Sequence, residues 1–531
     1  VILRAGASNN VIGGGFVGAG NVVSGNAQSG IALFDAGTSG NLVAGNFIGT
    51  GAAGAVSLPN VNGIDIASGA TGNTVGGTSA GTANVISGNS LDGLLLESSG
   101  NLVEGNLIGT AADGSTSLGN GSHGVFLTAG AGGNTIGVSG AGAGNVIAFN
   151  GGNGILVGTD AAQGITSAAG VGNAILSNSI YANGLIGIDL GPDDGVTPNG
   201  SLGYPAENNA YQPFPVIDAV LQAGMGLEVR GSYSDPQEPN TAITLQFFAT
   251  PTGDPSGHGQ GQRVLGSATI TPDGSGNASF DVTLPVSVAL GQYVTATATA
   301  PASGTSEFSA WVVVPPTPHQ EYVIAVYDDV LARAPDAGGL TYWSGLLDSG
   351  AAVGSVAAAI AQSDEYYANF VIRPAYLNLL GRAADAAGVK FWTAQMDGTT
   401  GNVTDQELEA DLVSAGGQTG EFYTNAGGTN SAWIDAVYKL LLGRAPDVGG
   451  ESYWNSRLDA GSTLNQVAQG IAGSQENDTQ LINDDYFHYL GRAADAGGLT
   501  YWLSQFADGA TNEDVITGFT GSAEYYEEHT S

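Results

Sequence analysis

The chain of 531 residues contains no cysteine, and basic residues are scarce. The absence of cysteine excludes disulfide bonds and thiolate metal sites. Lysine occurs only at Lys390 and Lys439, and 48 acidic residues face 11 basic ones, which gives a formal net charge of −37. Such a chain repels nucleic acid and anionic membrane surfaces and attracts cations. The composition therefore predicts no nucleic-acid partner.

Long hydrophobic runs are also missing, and charged residues make up only 11% of the chain. No apolar run reaches the roughly 20 residues that a membrane-spanning helix needs, so we expect no membrane insertion. Glycine, in contrast, is abundant, with 87 copies. Because Val, Ile and Leu recur at a regular spacing, this composition favours turn-dense β structure over disorder.

The first 190 residues repeat with a period of 61 to 63 positions. Ile64–Ile66 and Val125–Leu127 occupy the same place in consecutive units, and residues 1–3 precede the first of them by one period. Each half of the period supplies three short apolar segments. A period of this kind is typical of stacked coils. We therefore predict a right-handed parallel β-helix of about six coils over residues 1–212.

Asparagines recur at fixed places beside these segments. A side-chain amide both donates and accepts hydrogen bonds, so equivalent amides in neighbouring coils can bond to each other. The sequence therefore predicts a structural asparagine ladder; the alternative is that the amides line a ligand groove. The residues concerned are Asn10, Asn21, Asn41, Asn73, Asn84, Asn101, Asn134 and Asn145.

Residue 1 falls in the middle of a repeat, so the first coil is expected to present unpaired backbone groups on one face. Either further coils precede it, or the face pairs with a second copy of the chain by strand addition. The second explanation, which we favour, gives a head-to-tail contact that can propagate as a filament.

Residues 213–314 change character. Strand-like runs occur at residues 243–248, 264–270, 278–284 and 293–298, separated by Pro, Gly, Asp and Asn. This pattern predicts a small antiparallel, Ig-like β-sandwich. A Pro-rich linker is expected to follow at residues 315–319.

Residues 320–531 show helical periodicity and four copies of one motif, grouped as two pairs over 320–425 and 426–531. In each copy a Tyr precedes an Arg by six residues, an Asp follows the Arg by three and a Trp follows it by ten. We expect the Asp to cap a helix, the Arg to bond this Asp or the last carbonyls of the preceding helix, and the Trp to lie in the core. The alternative is a binding surface built from the same residues. The four sets are Tyr327, Arg333, Asp336 and Trp343; Tyr376, Arg382, Asp385 and Trp392; Tyr438, Arg444, Asp447 and Trp454; and Tyr486, Arg492, Asp495 and Trp502.

Two parts of the chain resemble known families. The phrases GIDLGPDDGVTPN, residues 187–199, and FFATPTGDPSGHGQGQRVLGS, residues 247–267, resemble exported bacterial surface proteins in which an Asn-rich β-helix precedes a sandwich module. The phrase LLGRAPDVGGESYW, residues 441–454, resembles a family of all-helical repeats of unknown function that occur at the C-termini of bacterial exoproteins and are distantly similar to phycobilisome linker domains. The first resemblance implies display outside the cell, and the second carries no activity.

Many parallel β-helices are polysaccharide lyases or hydrolases. An enzyme of this kind would need catalytic groups on the side of the β-helix, here called the flank. Residues 1–190 contain one basic residue, Arg4, and eight acids. Glycoside hydrolysis needs two carboxylates about 5 to 9 Å apart. Asp92 and Glu97 flank one strand, but no His, Arg or Lys accompanies them. We therefore interpret the acids as solvated charges and His123 as an isolated surface residue, and we predict no catalytic residue.

Asp193 and Asp194 lie in an acidic turn and are candidate ligands for Ca²⁺, with a solvated turn as the alternative. No other cofactor is expected. The C-terminal region from residue 320 carries 29 acidic residues against eight basic ones, so divalent cations are also expected to screen its surface.

Taken together, these features favour a non-enzymatic, extracellular structural or adhesive protein of a bacterial surface, such as a subunit of a filament or surface layer. Its expected partners are further copies of itself, other surface proteins or glycans. Two alternatives remain: a carbohydrate-active β-helix enzyme of the tailspike type, and a glycan-binding module without turnover.

Overall fold

The computed structural model describes residues 1–16, 18–138, 140, 143–192, 194–203, 205–223 and 226–530. It divides into two compact units, Val1–Pro315 and Pro316–Ser531. Each unit is described by itself.

The first unit begins with a parallel β-helix whose short strands stack in three sheets. The pairs along each sheet are parallel and in register, so Leu94 lies between Ile64 and Val125 in adjacent coils. In chain order the strands are β1 (Ile2–Leu3), β2 (Val11–Gly13), β3 (Val22–Val23), β4 (Ile31–Leu33), β5 (Leu42–Ala44), β6 (Phe47–Ile48), β7 (Ile64–Ile66), β8 (Thr74–Gly76), β9 (Val85–Ile86), β10 (Leu94–Leu96), β11 (Leu102–Glu104), β12 (Leu107–Ile108), β13 (Val125–Leu127), β14 (Thr135–Ile136), β15 (Val146–Ala148), β16 (Ile155–Val157), β17 (Ala174–Ile175), β18 (Ser179–Tyr181) and β19 (Ile188–Asp189).

Every third strand belongs to the same sheet. One sheet runs β1-β4-β7-β10-β13-β16-β19, the second β2-β5-β8-β11-β14-β17 and the third β3-β6-β9-β12-β15-β18. The predicted parallel β-helix of about six coils is therefore confirmed, while its handedness stays a prediction. Alternate residues of a strand point to opposite faces, so Ile64 and Ile66 fill the aliphatic interior while Asp65 points outward.

A sandwich of two antiparallel sheets follows. Its strands are β20 (Val216–Ala223), β21 (Gly226–Ser234), β22 (Ile243–Thr250), β23 (Arg263–Ile270), β24 (Asn277–Leu284), β25 (Tyr293–Ala300), β26 (Gly304–Thr305) and β27 (Val312–Val313). One sheet runs β20-β21-β24, and the other runs β23-β22-β25-β26 with β27 also paired to β25. β20 and β21 were not predicted from the sequence, because polar residues interrupt them; on β21 these residues alternate with buried Leu227 and Val229.

The sandwich covers the C-terminal end of the β-helix within the same unit. The N–H of Ile180 donates to the carbonyl of Gly261 at 2.8 Å, and the N–H of Thr305 donates to the carbonyl of Asn173 at 3.0 Å. Phe248 and Phe308 from the sandwich join the aliphatic interior of the β-helix. The last coil therefore finds its backbone partners and its apolar cover in the next module.

The second unit is helical. Its α-helices are α1 (Pro318–Leu331), α2 (Ala337–Asp348), α3 (Val353–Ala361), α4 (Asp364–Tyr366), α5 (Arg373–Leu380), α6 (Ala386–Met396), α7 (Asp405–Ser414), α8 (Glu421–Asn425), α9 (Asn430–Leu441), α10 (Val448–Asp459), α11 (Leu464–Ala472), α12 (Gln475–Leu490), α13 (Ala496–Ala507), α14 (Asn512–Thr520) and α15 (Ala523–His529). A π-helical turn, Tyr367–Ile372, joins α4 to α5.

The helical unit begins earlier than the predicted linker boundary. Thr317 caps α1, its side chain accepting from the N–H of Gln320, whose own side chain accepts from the N–H of Thr317. This reciprocal pair, with Pro318 at the first helical position, starts the helix inside the segment expected to be extended.

Among the described residues, no helix is long and apolar enough to cross a membrane.

Candidate functional site

The helical motif builds a side-chain clamp between two successive helices, and its third copy shows the parts. Trp454 on α10 donates from Nε1 to the hydroxyl of Tyr438 on α9 at 2.9 Å. The guanidinium of Arg444 lies 5.4 Å from the centre of the Tyr438 ring. Asp447 is the N-cap of α10 and accepts from the N–H of Gly450 at 2.7 Å. Together these contacts fix the start of α10 against α9.

The other three copies repeat this geometry. The Trp–Tyr hydrogen bonds join Trp343 to Tyr327 at 3.0 Å, Trp392 to Tyr376 at 3.1 Å and Trp502 to Tyr486; the arginines over the rings are Arg333, Arg382 and Arg492; and the N-caps are Asp336, Asp385 and Asp495.

A glycine six residues after each Arg completes the clamp. A Cβ placed at Gly450 would lie 3.0 Å from the Tyr438 hydroxyl, and one at Gly498 would lie 2.0 Å from that of Tyr486. The tyrosine hydroxyl can therefore reach the tryptophan only across a residue without a side chain.

The arginine has a different principal partner from the one expected. Arg444 makes a two-pronged pair with Glu476, from Nε to Oε1 at 2.5 Å and from Nη2 to Oε2 at 2.6 Å, and it donates to the carbonyl of Ala445 at 3.1 Å. The Glu takes the place expected for the Asp because each Asp carboxylate is engaged by the helix N-terminus; in the fourth copy Arg492 also pairs with Asp495, from Nη1 to Oδ2 at 3.9 Å. The equivalent pairs are Arg333 with Glu365, Arg382 with Glu421 and Arg492 with Glu524.

In the first three copies the glutamate lies in the first turn of a helix that begins before the next motif tyrosine, so the Arg–Glu pair ties one repeat to its successor. In the fourth copy Glu524 lies in the first turn of α15, the last described helix. Glu476 follows the N-cap Ser474 of α12. Because the pair hydrogen-bonds the charged form, Arg444 lowers the pKa of Glu476 below its ordinary value.

We expect Arg444→Lys to lower the urea midpoint of the helical unit slightly, because lysine cannot donate two parallel hydrogen bonds and the pair is partly exposed. The loss should shrink in high salt and as the pH falls through the lowered pKa of Glu476, where the carboxylate is neutralised. Urea unfolding followed by circular dichroism at 222 nm measures it. Arg457→Lys on α10 is the control; an equal loss in both variants would contradict the pairing.

The motif tryptophans are not fully buried, contrary to the expectation. Trp343, Trp392, Trp454 and Trp502 are half-buried and pack on the edge of the helical core. The tryptophan with no exposed surface is Trp433, which lies outside the motif. The motif tryptophans lie midway along α2, α6, α10 and α13, where the clamp holds one edge of the ring and solvent reaches the other.

The residue before each motif tryptophan is an exposed aromatic, which the sequence analysis overlooked. In the third copy Tyr453 is 55% exposed, and its ring packs edge-on against Trp454 with centroids 4.8 Å apart. The equivalent pairs are Tyr342 with Trp343, Phe391 with Trp392 and Tyr501 with Trp502. Each repeat therefore displays one aromatic ring at the same place.

The β-helix contains three asparagine ladders. At every step the Oδ1 of one asparagine accepts a hydrogen bond from the backbone N–H of the asparagine in the preceding coil; for example, Asn46 donates to Asn84 at 2.9 Å. The first ladder contains Asn10, Asn41, Asn73, Asn101, Asn134, Asn173 and Asn209; the second Asn21, Asn46, Asn84, Asn106, Asn145 and Asn178; and the third Asn26, Asn60, Asn89, Asn120, Asn150 and Asn183.

All eight predicted asparagines belong to the first two ladders. Asn10, Asn73 and Asn134 share their ladder with Asn41 and Asn101, because successive half-periods are successive coils. The third ladder was not predicted. It continues into the sandwich, where the side chain of Gln260 accepts from both the N–H and the side-chain amide of Asn183.

The acids on the β-helix flank are not all solvated, and His123 is neither isolated nor exposed. His123 is 3% exposed and its Nε2 lies 3.2 Å from Oδ2 of Asp160. Its Nδ1 accepts from the N–H of Asn153, so Nε2 carries the proton and donates. Gln163 donates to both oxygens of the buried Asp92 at 3.1 Å. The loop that carries Gln163 folds over the flank and covers this network.

The predicted Ca²⁺ turn is only partly described. Asp193 lies outside the described residues, and Asp194 is exposed with a φ of 53°. Burial, and then the negative charges of Glu307 and Asp194, raise the pKa of the adjacent Asp189 to about 8. Within the described residues, no three His, Asp or Glu side chains are placed to hold a metal ion. Ca²⁺ at this turn stays a prediction.

One family model matches the chain, "Domain of unknown function (DUF4214)", over residues 307–370, 417–481 and 477–529. These segments contain the first, third and fourth copies of the clamp; the second, from Tyr376 to Trp392, lies between them. The helical unit therefore carries DUF4214 repeats. No curated protein matches the chain.

Proposed function

We propose that this protein is a non-enzymatic structural and adhesive protein of the extracellular bacterial surface, and that its helical repeats contact neutral glycans. The observation that carries the adhesive part is the aromatic ring displayed at the same position of every repeat. Tyr342, Phe391, Tyr453 and Tyr501 are each more than half exposed, although large aromatic side chains are usually covered.

The structural part rests on how the polar groups are used. In the β-helix the asparagine amides bond the neighbouring coils, and in the helical unit the Tyr, Arg, Asp and Trp of the clamp bond one another or the next repeat. Groups engaged in this way stiffen a scaffold and are not free to hold a ligand. A stiff scaffold with repeated contact points suits adhesion.

Charge narrows the choice of partner. The helical unit is strongly acidic, so acidic polysaccharides, nucleic acids and anionic lipids are repelled. A neutral sugar ring presents an apolar C–H face that can stack on an exposed aromatic side chain. We also propose that the protein lies outside the cell and that it binds Ca²⁺.

We expect the full chain to bind at least one neutral glycan on a glycan array. A variant with Tyr342, Phe391, Tyr453 and Tyr501 all changed to Ala should lose at least tenfold in affinity, because stacked rings contribute about 1 kcal/mol or more each. Its circular dichroism should be unchanged, since the removed rings are exposed.

The matched control removes four exposed apolar side chains from other positions of the same unit: Leu377, Leu440, Val448 and Phe487, each changed to Ala. Equal loss in both variants, or no glycan binding by the unmodified chain, would contradict the proposal. Release of reducing sugar from a neutral polysaccharide would favour the enzyme alternative, and a concentration-dependent mass in sedimentation would identify further copies as partners.

A further inference from the structure

A cluster of carboxyl groups lies inside the helical unit and plays no part in the clamp. Asp405 is the first residue of α7, Glu513 the second residue of α14, and Asp485 lies within α12. Glu513 is only 2% exposed, whereas Asp405 and Asp485 are half-buried. One oxygen in each of the three side chains is buried and has no hydrogen-bond partner among the described N–H and O–H donors: Oδ1 of Asp405, Oδ2 of Asp485 and Oε1 of Glu513.

The side chains of Asp405 and Glu513 face each other within hydrogen-bonding reach. Two carboxylates have only acceptor oxygens, so such a bond exists only when one of the pair carries a proton. A hydrogen bond between α7 and α14 at this point therefore requires one of the two carboxyls to be protonated.

The surroundings of the cluster are acidic or phenolic. Thr511 also lies beside Glu513 and lowers its pKa. None of the groups that most affect the pKa values of these three carboxyls is basic. The facing titratable groups are Glu409 on α7, Asp514 on α14, Asp484 and Tyr489 on α12, and Tyr366 and Tyr367 at the π-helical turn. Of the other helices packed against α7, α12 and α14, α3 and α11 carry no titratable residue. The acidic and phenolic residues of the rest are Tyr376 on α5, Glu421 and Tyr423 on α8, Tyr501 on α13, and Glu524, Tyr525, Tyr526, Glu527 and Glu528 on α15.

The basic residues on the packed helices point elsewhere. Arg373 on α5 donates to Asn369, the ring of His488 on α12 lies 3.0 Å from the carbonyl oxygen of Asp329, and that of His529 on α15 lies 2.9 Å from the carbonyl oxygen of Tyr525. None of these three basic side chains is bonded to the cluster.

We propose that this cluster is a proton-held latch: the helical unit is closed by protons shared among Asp405, Glu513 and Asp485, and it loosens as the pH rises and the carboxyls ionise. Two ionised carboxyls at the α7–α14 contact repel each other in a low-dielectric interior, which drives the two helix ends apart.

The direction of the pH dependence follows from burial. Burial raises the pKa of Asp485 to about 8 and that of Glu409 to about 7, and it raises those of Asp405 and Glu513 as well. In the unfolded chain these groups titrate near pH 4. The folded unit therefore binds more protons than the unfolded chain, so the stability present in full below about pH 4 is lost as the pH rises through the raised values.

The test is urea unfolding of the full chain at constant ionic strength between pH 5 and pH 9, followed at 222 nm. This wavelength reports the helical unit, because α-helix occurs only there among the described residues. The urea midpoint should fall steadily from pH 5 to pH 9. Asp405→Asn combined with Glu513→Gln should remove at least half of the fall. Glu527→Gln combined with Glu528→Gln, which removes two exposed charges from α15, should leave it intact.

Three outcomes overturn the latch: a midpoint that is flat or rises with pH, a full fall in the Asp405/Glu513 variant, or a fall abolished by 1 mM CaCl₂ and restored by chelator. The last would identify a cation site, which Ca²⁺ could reach through a cleft of about 250 Å³ lined by Asp405 and Glu409. If the double variant does not fold, proton release decides: unfolding the unmodified chain at pH 7 in weak buffer should release protons, and uptake or no change refutes the latch.

Discussion

Trp433→Ala is expected to lower the free energy of unfolding of the helical unit by about 3 to 5 kcal/mol, because it removes a large, fully buried side chain and leaves a cavity. Trp433 has no exposed surface. Its Nε1 donates to the carbonyl of Val413 at 2.9 Å, so the substitution also leaves a buried acceptor without its partner. Urea unfolding at 222 nm measures the loss.

Two neighbouring aromatic residues on α10 are expected to give smaller losses in the free energy of unfolding, because they are less buried. Trp454→Ala removes a half-buried ring and its bond to Tyr438, for which we expect a smaller loss of about 2 kcal/mol. Tyr453→Ala removes an exposed ring and should change stability by less than about 0.5 kcal/mol. The sequence alone predicted the full core penalty at Trp454. A loss there as large as at Trp433 would show that the motif tryptophans are core residues after all.

Segments with a strict period could be predicted from the sequence, because the period records a local backbone geometry that repeats. The strands Leu94–Leu96, Val125–Leu127 and Ile155–Val157 lie where the spacing placed them. The N-capping Asp of each clamp was predictable for the same reason, since Asp447 and its helix are adjacent in the chain.

Contacts between distant residues were harder to predict. Arg444 and Glu476 are 32 residues apart, and the same spacing separates Arg333 from Glu365 and Arg492 from Glu524. The spacing was visible in the sequence, but nothing local requires these side chains to meet. Only the packing of helices that are distant in the sequence brings the Arg and the Glu together.

The third asparagine ladder was missed because its residues do not precede a strand directly. Asn89 lies five residues before Leu94, whereas Asn84 is followed at once by Val85. The doubled period has a related cause. In the second ladder the first four steps alternate between 25 or 22 residues and 38 or 39, because long and short loops alternate between coils; the last step, from Asn145 to Asn178, is 33 residues.

Burial of the flank could not be predicted from periodicity either. Asp92, His123 and Asp160 are covered by the irregular loop that carries Gln163 and Ile165. A loop without a period gives no signal of the surface on which it will fold. The same limit applies to the exposed aromatics, because periodicity in α10 places Tyr453 beside Trp454 without showing which of the two faces solvent.

Asn84→Ala is expected to loosen the middle of the β-helix, with a loss of about 3 kcal/mol in the free energy of local opening, because it leaves several buried polar groups unpaired. The Oδ1 of Asn84 accepts from the backbone N–H and the side-chain amide of Asn46 at 2.9 and 3.0 Å. Its own amide donates to the carbonyl of Val43 at 2.8 Å and to Asn106 at 2.9 Å. Hydrogen exchange resolved by peptide measures the effect in the coils above and below, where amides near residues 43–48 and 106–108 should exchange at least tenfold faster.

Asn21→Ala is the matched control, because Asn21 belongs to the same ladder but lies in the exposed first coil and is bonded along the ladder only to Asn46. Its amides can turn to water, so its loss should raise exchange only locally and by less than about 1 kcal/mol. The structural interpretation of the ladder and the ligand-groove interpretation predict different results for Asn84→Ala. If the amides line a ligand groove, Asn84→Ala should leave exchange near Asn46 and Asn106 unchanged and weaken the binding of a ligand. If they hold the coils together, protection disappears on both sides of residue 84, because each amide serves the coil before it and the coil after it.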